Sequence, residues 1–394
     1  MTTDAPSTRK PRVYDNPPFE RIALLLQGGG ALGSYQAGVY QALDEARIMP
    51  DWIAGISIGA INAALIAGNA PENRVPALRK FWEGVTSSPL LAPPPAFWAD
   101  LGVPQPKGDL AHSLINQVRA FGNLMAGAPT FFSPRPIPPF FSPPGSIEAQ
   151  SFYDVSPLRL TLERLVDFDR INAGETRFSV GAVKVRNGNF VYFDNDTHEI
   201  GPEHIMASGA LPPGFPAAKV DGEFYWDGGL VSNTPLDWVL DSRPRKDTLA
   251  FQVDLWSALG EFPRDLISQE VRQKDIRYSS RTRASTDQFK RMQRMRRALG
   301  RLLEHVPDAD ALKDDPALRE LIDEADDKVF NIVHLIYHAK QYEGASKDYE
   351  FSRLTMEEHW ATGYNDMVRT LRHPEALSRP TNPEGVKTFD VSRH

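Results

Sequence analysis

Two stretches within fifty residues, RIALLLQGGGALGSYQAG (21–38) and WIAGISIGAINAALIAG (52–68), follow one local plan. In each, a short apolar run of strand length meets glycine, and apolar positions at helical spacing follow. An uninterrupted apolar run suits a strand buried on both faces of a parallel sheet, where helices cover either side. Two such strand–turn–helix units in succession predict an α/β fold around a central, largely parallel sheet. The chain's 394 residues allow one large domain or two ordinary ones. At 41% apolar and 24% charged residues it reads as a soluble globular protein. The stretch 52–70 approaches the length of a membrane span, but Ser57, Asn62, Asn69 and several glycines favour a strand, a turn and a buried helix.

Further along, the composition changes. Residues 89–145 hold many of the chain's 33 prolines, together with Phe97, Trp98, Phe131, Phe132, Phe140 and Phe141. Proline excludes regular helix or sheet, and exposed aromatics are costly. The segment is therefore expected to be an extended insertion packed on the core, or a hydrophobic lid. TRFSVGAVKV (176–185) and FVYFDN (190–195) read as a strand pair around the Asn187–Gly188 turn. LAFQVDLW (249–256) and KVFNIVHLIYH (328–338) read as further core strands. From Glu270 to Leu303 the chain reads as helical and basic, with eleven Lys or Arg against three acids. Residues 355–372 read as a closing helix, and the Pro-containing tail after it as loose. The expected division is a disordered tail over 1–19, a main domain over 20–256 that includes the 89–145 insertion, and a C-terminal extension over 257–394. The tail lacks the apolar core of a secretory signal, so the expected address is the cytoplasm.

The absence of cysteine excludes disulfides, thiol nucleophiles and Cys-based metal sites. A net charge of −7 argues against a general nucleic-acid binder. Gly28-Gly29-Gly30-Ala31-Leu32-Gly33 satisfies G-x-G-x-x-G between strand and helix, a context that exposes backbone N–H groups to an anion. A dinucleotide site also needs an acid at the end of the next strand to hold the ribose. Here Asp51 precedes that strand, which ends in Gly55-Ile56-Ser57-Ile58-Gly59. This is G-x-S-x-G, a turn that exposes a nucleophilic serine at the start of a helix whose dipole favours negative charge. The plainer role for Ser57 is a helix N-cap. A nucleophilic serine needs a base. His334 and His338 lie in or beside an apolar strand, where structural histidines are expected, and Leu335 replaces the glutamate of H-E-x-x-H, so no zinc site is expected. DGEFYWDGGLVSNTPL (221–236) offers Asp227, followed by Gly228 and Gly229, which let the backbone approach a neighbour closely. An ordinary Asp-Gly turn has the same letters.

Taken together, the glycine loop, Gly-Ile-Ser-Ile-Gly and Asp-Gly-Gly followed by Asn233-Thr-Pro resemble the patatin-like lipid acyl hydrolases over roughly residues 20–256. ASGALPPGFPAAKVDG (207–222) is similar to the family's segment before its aspartate, and the remainder resembles extensions of certain bacterial members. The resemblance implies a three-layer α/β/α fold and cleavage of lipid carboxylic esters by a Ser–Asp dyad through an acyl-serine. Ser57 would be the nucleophile, Asp227 the base, and the N–H groups of Gly28, Gly29 and Gly30 the oxyanion hole. Gly33, Gly55, Gly59, Gly228 and Gly229 are the accompanying motif glycines, and no metal or organic cofactor is implied. The family often has Asp before the three glycines and a basic residue before the last. This chain has Gln27 and Leu32, changes that leave the backbone donors intact and bear on substrate preference. Other readings are a nucleotide-binding oxidoreductase, a catalytically silent lipid-binding or scaffolding protein, and a histidine-assisted triad drawing on His305, His334, His338 or His359. The basic stretch 271–303 reads as a solvated helical face or as a peripheral contact with an anionic membrane surface.

Overall fold

The strand β1 (Arg21–Leu26) is buried along its whole length, because both faces of the sheet are covered. Leu24 and Leu26 enter one core, and Ala23 and Leu25 the other. On one edge β1 pairs in parallel with β2 (Trp52–Ile56), and β2 with β5 (Arg177–Lys184). On the other edge lie β9 (Thr248–Asp254), β10 (Phe330–Ile336) and β11 (Val386–Asp390), all parallel. Beyond β5 the sheet turns antiparallel, with β6 (Phe190–Asp194) and β8 (Glu223–Asp227) on β5, and β7 (Ala218–Val220) on β8. The order is β11-β10-β9-β1-β2-β5-β8-β7. A separate two-residue ribbon joins β3 (Ser133–Pro134) to β4 (Tyr153–Asp154). The computed structural model describes residues 10–14, 17–86, 127–279, 282–307, 311–339 and 343–391. The expectations for Phe97, Trp98, the rest of 87–126 and residues 1–9 lie outside these residues.

One core packs α1 (Gly33–Glu45), α2 (Ile58–Ala67), α3 (Pro71–Val85), α4 (Ser156–Leu165), α5 (Phe168–Asn172) and α6 (Pro202–Ser208) against the sheet. The other face carries α7 (Leu236–Leu240) and Phe289. The result is the three-layer α/β/α arrangement expected. The basic stretch forms two helices, α8 (Leu266–Tyr278) and α9 (Thr282–Leu303), separated at Ser279, whose backbone is extended. A short helix, α10 (Pro316–Asp323), follows before β10. The last helix, α11 (Arg353–Thr370), packs on α1 at backbone distance: a Cβ on Gly38 would lie 1.9 Å from the Trp360 carbonyl oxygen. The expectation of a loose tail fails at β11. Its Val386 fills one core and Phe389 the other, so a five-residue segment gains apolar burial on both sides of the sheet edge.

Candidate active site

The pairing of β5 decides where two distant residues meet. β6 occupies one edge of β5 from Ser179 to Val183, so β2 and β8 must share the other. β2 runs up that edge until Ile56 is opposite Gly181, and β8 runs down it until Asp227 is opposite Ala182. The strands therefore point end to end, and the residue after β2 faces the residue that closes β8. Those residues are Ser57 and Asp227.

Ser57 has φ +56° and ψ −122°, a left-handed conformation that costs a non-glycine residue about 1–3 kcal/mol. Its flanking glycines make the turn possible by close approach. A Cβ on Gly55 would lie 2.3 Å from the Gly59 carbonyl oxygen, and one on Gly59 would lie 2.2 Å from that of Leu26. The Ser57 N–H donates to Ser208 Oγ at 3.0 Å, and the Ser208 hydroxyl donates to the Gly181 carbonyl at 2.7 Å. Ser208, at the end of α6, thus pins the turn to β5.

Asp227 is only 2% exposed. Its Oδ1 accepts the Gly229 N–H at 2.7 Å, and Ser57 lines the same cavity as its carboxylate. Burial pushes its pKa from the ordinary 3.8 up to about 6, against the lowering pull of the Ser57 side chain and the Gly229 N–H. Gly228 lets this turn rest on β5, since a Cβ there would lie 2.6 Å from the Gly181 oxygen.

The glycine loop follows β1 at the same end of the sheet. The Gly28 carbonyl accepts from Asn233 Nδ2 at 3.0 Å and from Trp256 Nε1 at 2.8 Å. The Gly28 N–H makes a long 3.4 Å bond to the Asn233 carbonyl, and the N–H groups of Gly29 and Gly30 have no hydrogen-bond partner among the described residues. Gly33 opens α1 against Ile58 and Trp82, with no room for a Cβ. Leu32 is fully buried, which explains an apolar residue where a basic one was the family habit. Asp51 lies at the opposite end of the sheet, accepting the Ile22 N–H, so it does not face the glycine loop as a ribose ligand would.

A cavity of about 330 Å³ joins Gly28, Gly29, Gly30, Ser57 and Asp227. Its apolar wall includes Phe131, Phe132, Tyr153, Phe215 and Phe351, with neighbouring rings edge-on or tilted, as in Phe132–Tyr153 at 4.8 Å. The described end of the Pro-rich insertion therefore divides: Phe131 and Phe132 are buried here, whereas Phe140 and Phe141 are 83% and 79% exposed. No histidine is among the described residues that line the cavity. His334 is buried in β10, and His359 is buried beside Glu343. Sequence reasoning missed Ser208, Trp256, Tyr278 and Asp348; the first stands inside the segment 207–222 singled out for its resemblance. The site can take a proton from a hydroxyl and set unengaged amides toward negative charge.

Residues 24–240 match a family model described as patatin-like phospholipase, and residues 276–383 a second described as patatin phospholipase. Among curated proteins, the chain is 38% identical over 66 residues to triacylglycerol lipase SDP1L of Arabidopsis thaliana. It is 55% identical over 49 residues to lysophospholipase nte1 of Aspergillus terreus, and 40% identical over 91 residues to patatin-like phospholipase domain-containing protein 7 of Mus musculus. These matches cover 17%, 12% and 19% of this chain and 8%, 3% and 7% of those proteins.

Proposed function

We propose, from the premise that the chain belongs to the patatin-like phospholipase family, that it hydrolyses carboxylic esters of lipids with Ser57 and Asp227 as a catalytic dyad. The observation that carries this reading is the convergence of Ser57 and the buried carboxylate of Asp227 on one aromatic-walled cavity beside the glycine loop. Ser57 Oγ attacks the ester carbonyl while its proton passes to Asp227. The carbonyl oxygen becomes the oxyanion of a tetrahedral intermediate, facing the amides of Gly28, Gly29 and Gly30. On collapse the alcohol leaves with the proton from Asp227, and the acyl group stays on Ser57. Water then attacks this ester, gives its proton to Asp227, and the acid departs as Ser57 regains a proton.

Two physical points support the roles. A carboxylate whose pKa is raised to about 6 is a stronger base than one in water, yet it is still ionised at neutral pH. One preorganised oxyanion donor is worth about 3 kcal/mol. The aromatic wall suits an acyl chain, and two relatives are named a triacylglycerol lipase and a lysophospholipase. Contact with a lipid surface belongs to the same proposal. Phe140 packs on Phe152, next to the cavity residue Tyr153, and leaves its ring in solvent. In α9, by contrast, Arg294 and Arg296 are engaged by Glu384, Asp241 and Glu324, so that helix offers less free charge than its composition suggests.

The test is hydrolysis of a p-nitrophenyl acyl ester by the wild type, Ser57→Ala and Asp227→Asn. Each variant is expected to lose about 10³-fold or more in kcat, and wild-type activity in either rejects its assigned role. In the wild type, kcat/KM is expected to rise with pH through about 6, as Asp227 becomes the ionised base.

A further inference from the structure

Two pieces of the C-terminal extension reach the glycine loop from different directions. The Tyr278 carbonyl, at the end of α8, accepts from Asn233 Nδ2 at 2.9 Å and from Gln27 Nε2 at 3.2 Å. The Asp348 carbonyl accepts the Ala31 N–H at 2.8 Å. It also lies so close over Gly30, where φ is +55°, that a Cβ there would stand 2.1 Å from its oxygen. The two pieces are fastened to one another by crossed ion pairs. Lys274 Nζ of α8 meets Asp348 Oδ1 at 2.6 Å, and Lys347 Nζ meets Asp275 Oδ1 of α8 at 2.5 Å. Aromatic rings shield both ammonium groups: Lys274 is 5.1 Å from the centre of Tyr349, and Lys347 is 4.9 Å from that of Trp256.

Gln27 shows that the loop is fitted to this arrangement. Its Oε1 accepts the N–H groups of Leu255 and Trp256, while its Nε2 donates to Thr234 Oγ1 and the Tyr278 carbonyl. A carboxylate at 27 accepts the first pair but has nothing to donate to the second. The amide, where the family often has Asp, answers a carbonyl that only the extension supplies.

We infer that the C-terminal extension is part of the catalytic machinery, with Lys274 and Asp348 acting as positioning residues that hold the Gly28–Gly30 amides where the oxyanion forms. This rests on the hydrolase reading above. Three successive glycines have wide backbone freedom, and an oxyanion donor acts only if it is already in place when charge develops. The Lys274–Asp348 pair fixes the carbonyl that caps Ala31, and so limits the loop to one conformation.

The experiment compares the full-length wild type with Lys274→Met, Lys274→Arg, Asp348→Asn and the reciprocal double variant Lys274→Asp with Asp348→Lys. Steady-state ester hydrolysis and backbone hydrogen exchange over residues 27–32 are measured on each. Lys274→Met and Asp348→Asn are expected to lower kcat about tenfold or more, with KM within about threefold, and to speed exchange at Ala31, whose N–H the Asp348 carbonyl accepts. Lys274→Arg is expected to keep most of the activity, and the double variant to exceed either of its single components. Unchanged exchange in the loop overturns the inference, as does a change confined to KM, which would make Lys274 a substrate contact. A wild type that exchanges as expected but cleaves no ester counts against the hydrolase reading and leaves the clamp standing. An active wild type whose loop ignores both substitutions counts against the clamp alone.

Discussion

Asp227 burdens the fold it serves. Its folded pKa of about 6 stands above the ordinary 3.8, so the native state holds the proton more tightly than the unfolded chain does. The stabilisation from that proton is complete below about pH 4 and is lost as pH rises through about 6, a difference of about 3 kcal/mol from two pKa units. Asp227→Asn removes the titration, and its thermal midpoint relative to wild type is expected to rise between pH 4 and pH 8. A difference between the two proteins that does not change with pH contradicts this. Ser57, Asp227 and the glycines could be singled out as candidates because the proposed chemistry requires particular side chains, or none, at particular element ends. Tyr278 and Asp348 were not, since each meets the glycine loop through a carbonyl that every residue possesses. Ser208 was hidden for a related reason: one serine in a small-residue stretch is recognised only when its partner, the Ser57 N–H, is known.

At the scale of elements, α1 and α11 pack at backbone distance. Glycines at 38 and 363 let each helix approach the other's backbone; a Cβ on Gly363 would stand 2.0 Å from the Tyr35 oxygen. Gly38→Ala and Gly363→Ala are each expected to cost about 1–3 kcal/mol by overpacking, read as a lower denaturation midpoint. Gly300 in α9 has nothing within 4 Å of a built Cβ, so Gly300→Ala is expected to stabilise by about 0.5–1 kcal/mol. A destabilised Gly300→Ala, or a neutral Gly38→Ala, contradicts this packing. The long periodic elements around Ser57 were readable from their apolar spacing alone. β8 and β11 were harder, because five residues with mixed polarity give too little period, and only pairing with β5 and β10 makes them strands. The helical, basic stretch read over 270–303 serves two places: α8 belongs to the cavity wall, whereas α9 packs Phe289 against the far face of the sheet.

Across the whole molecule, the segment after Trp256 completes the sheet rather than decorating it. β10 pairs with β9 along seven residues, and α11 covers α1. A chain ending at Trp256 would open the β9 edge and bare both apolar faces beside it, so it is expected to aggregate when expressed, as judged by gel filtration. A monodisperse, folded 1–256 fragment contradicts that. Sheet order was the least legible level, since strand neighbours are chosen by partners hundreds of residues away. Yet this order sets β2 and β8 tip to tip on β5, and with them the hydroxyl and carboxylate on which the proposed chemistry depends. The most direct measurement is the rate at which a fluorophosphonate labels the folded protein, with the modified residue located by mass spectrometry across pH. The dyad requires a single label on Ser57, forming faster as pH rises through about 6 and lost in Asp227→Asn. Labelling at another residue, or at wild-type speed in Asp227→Asn, would contradict it.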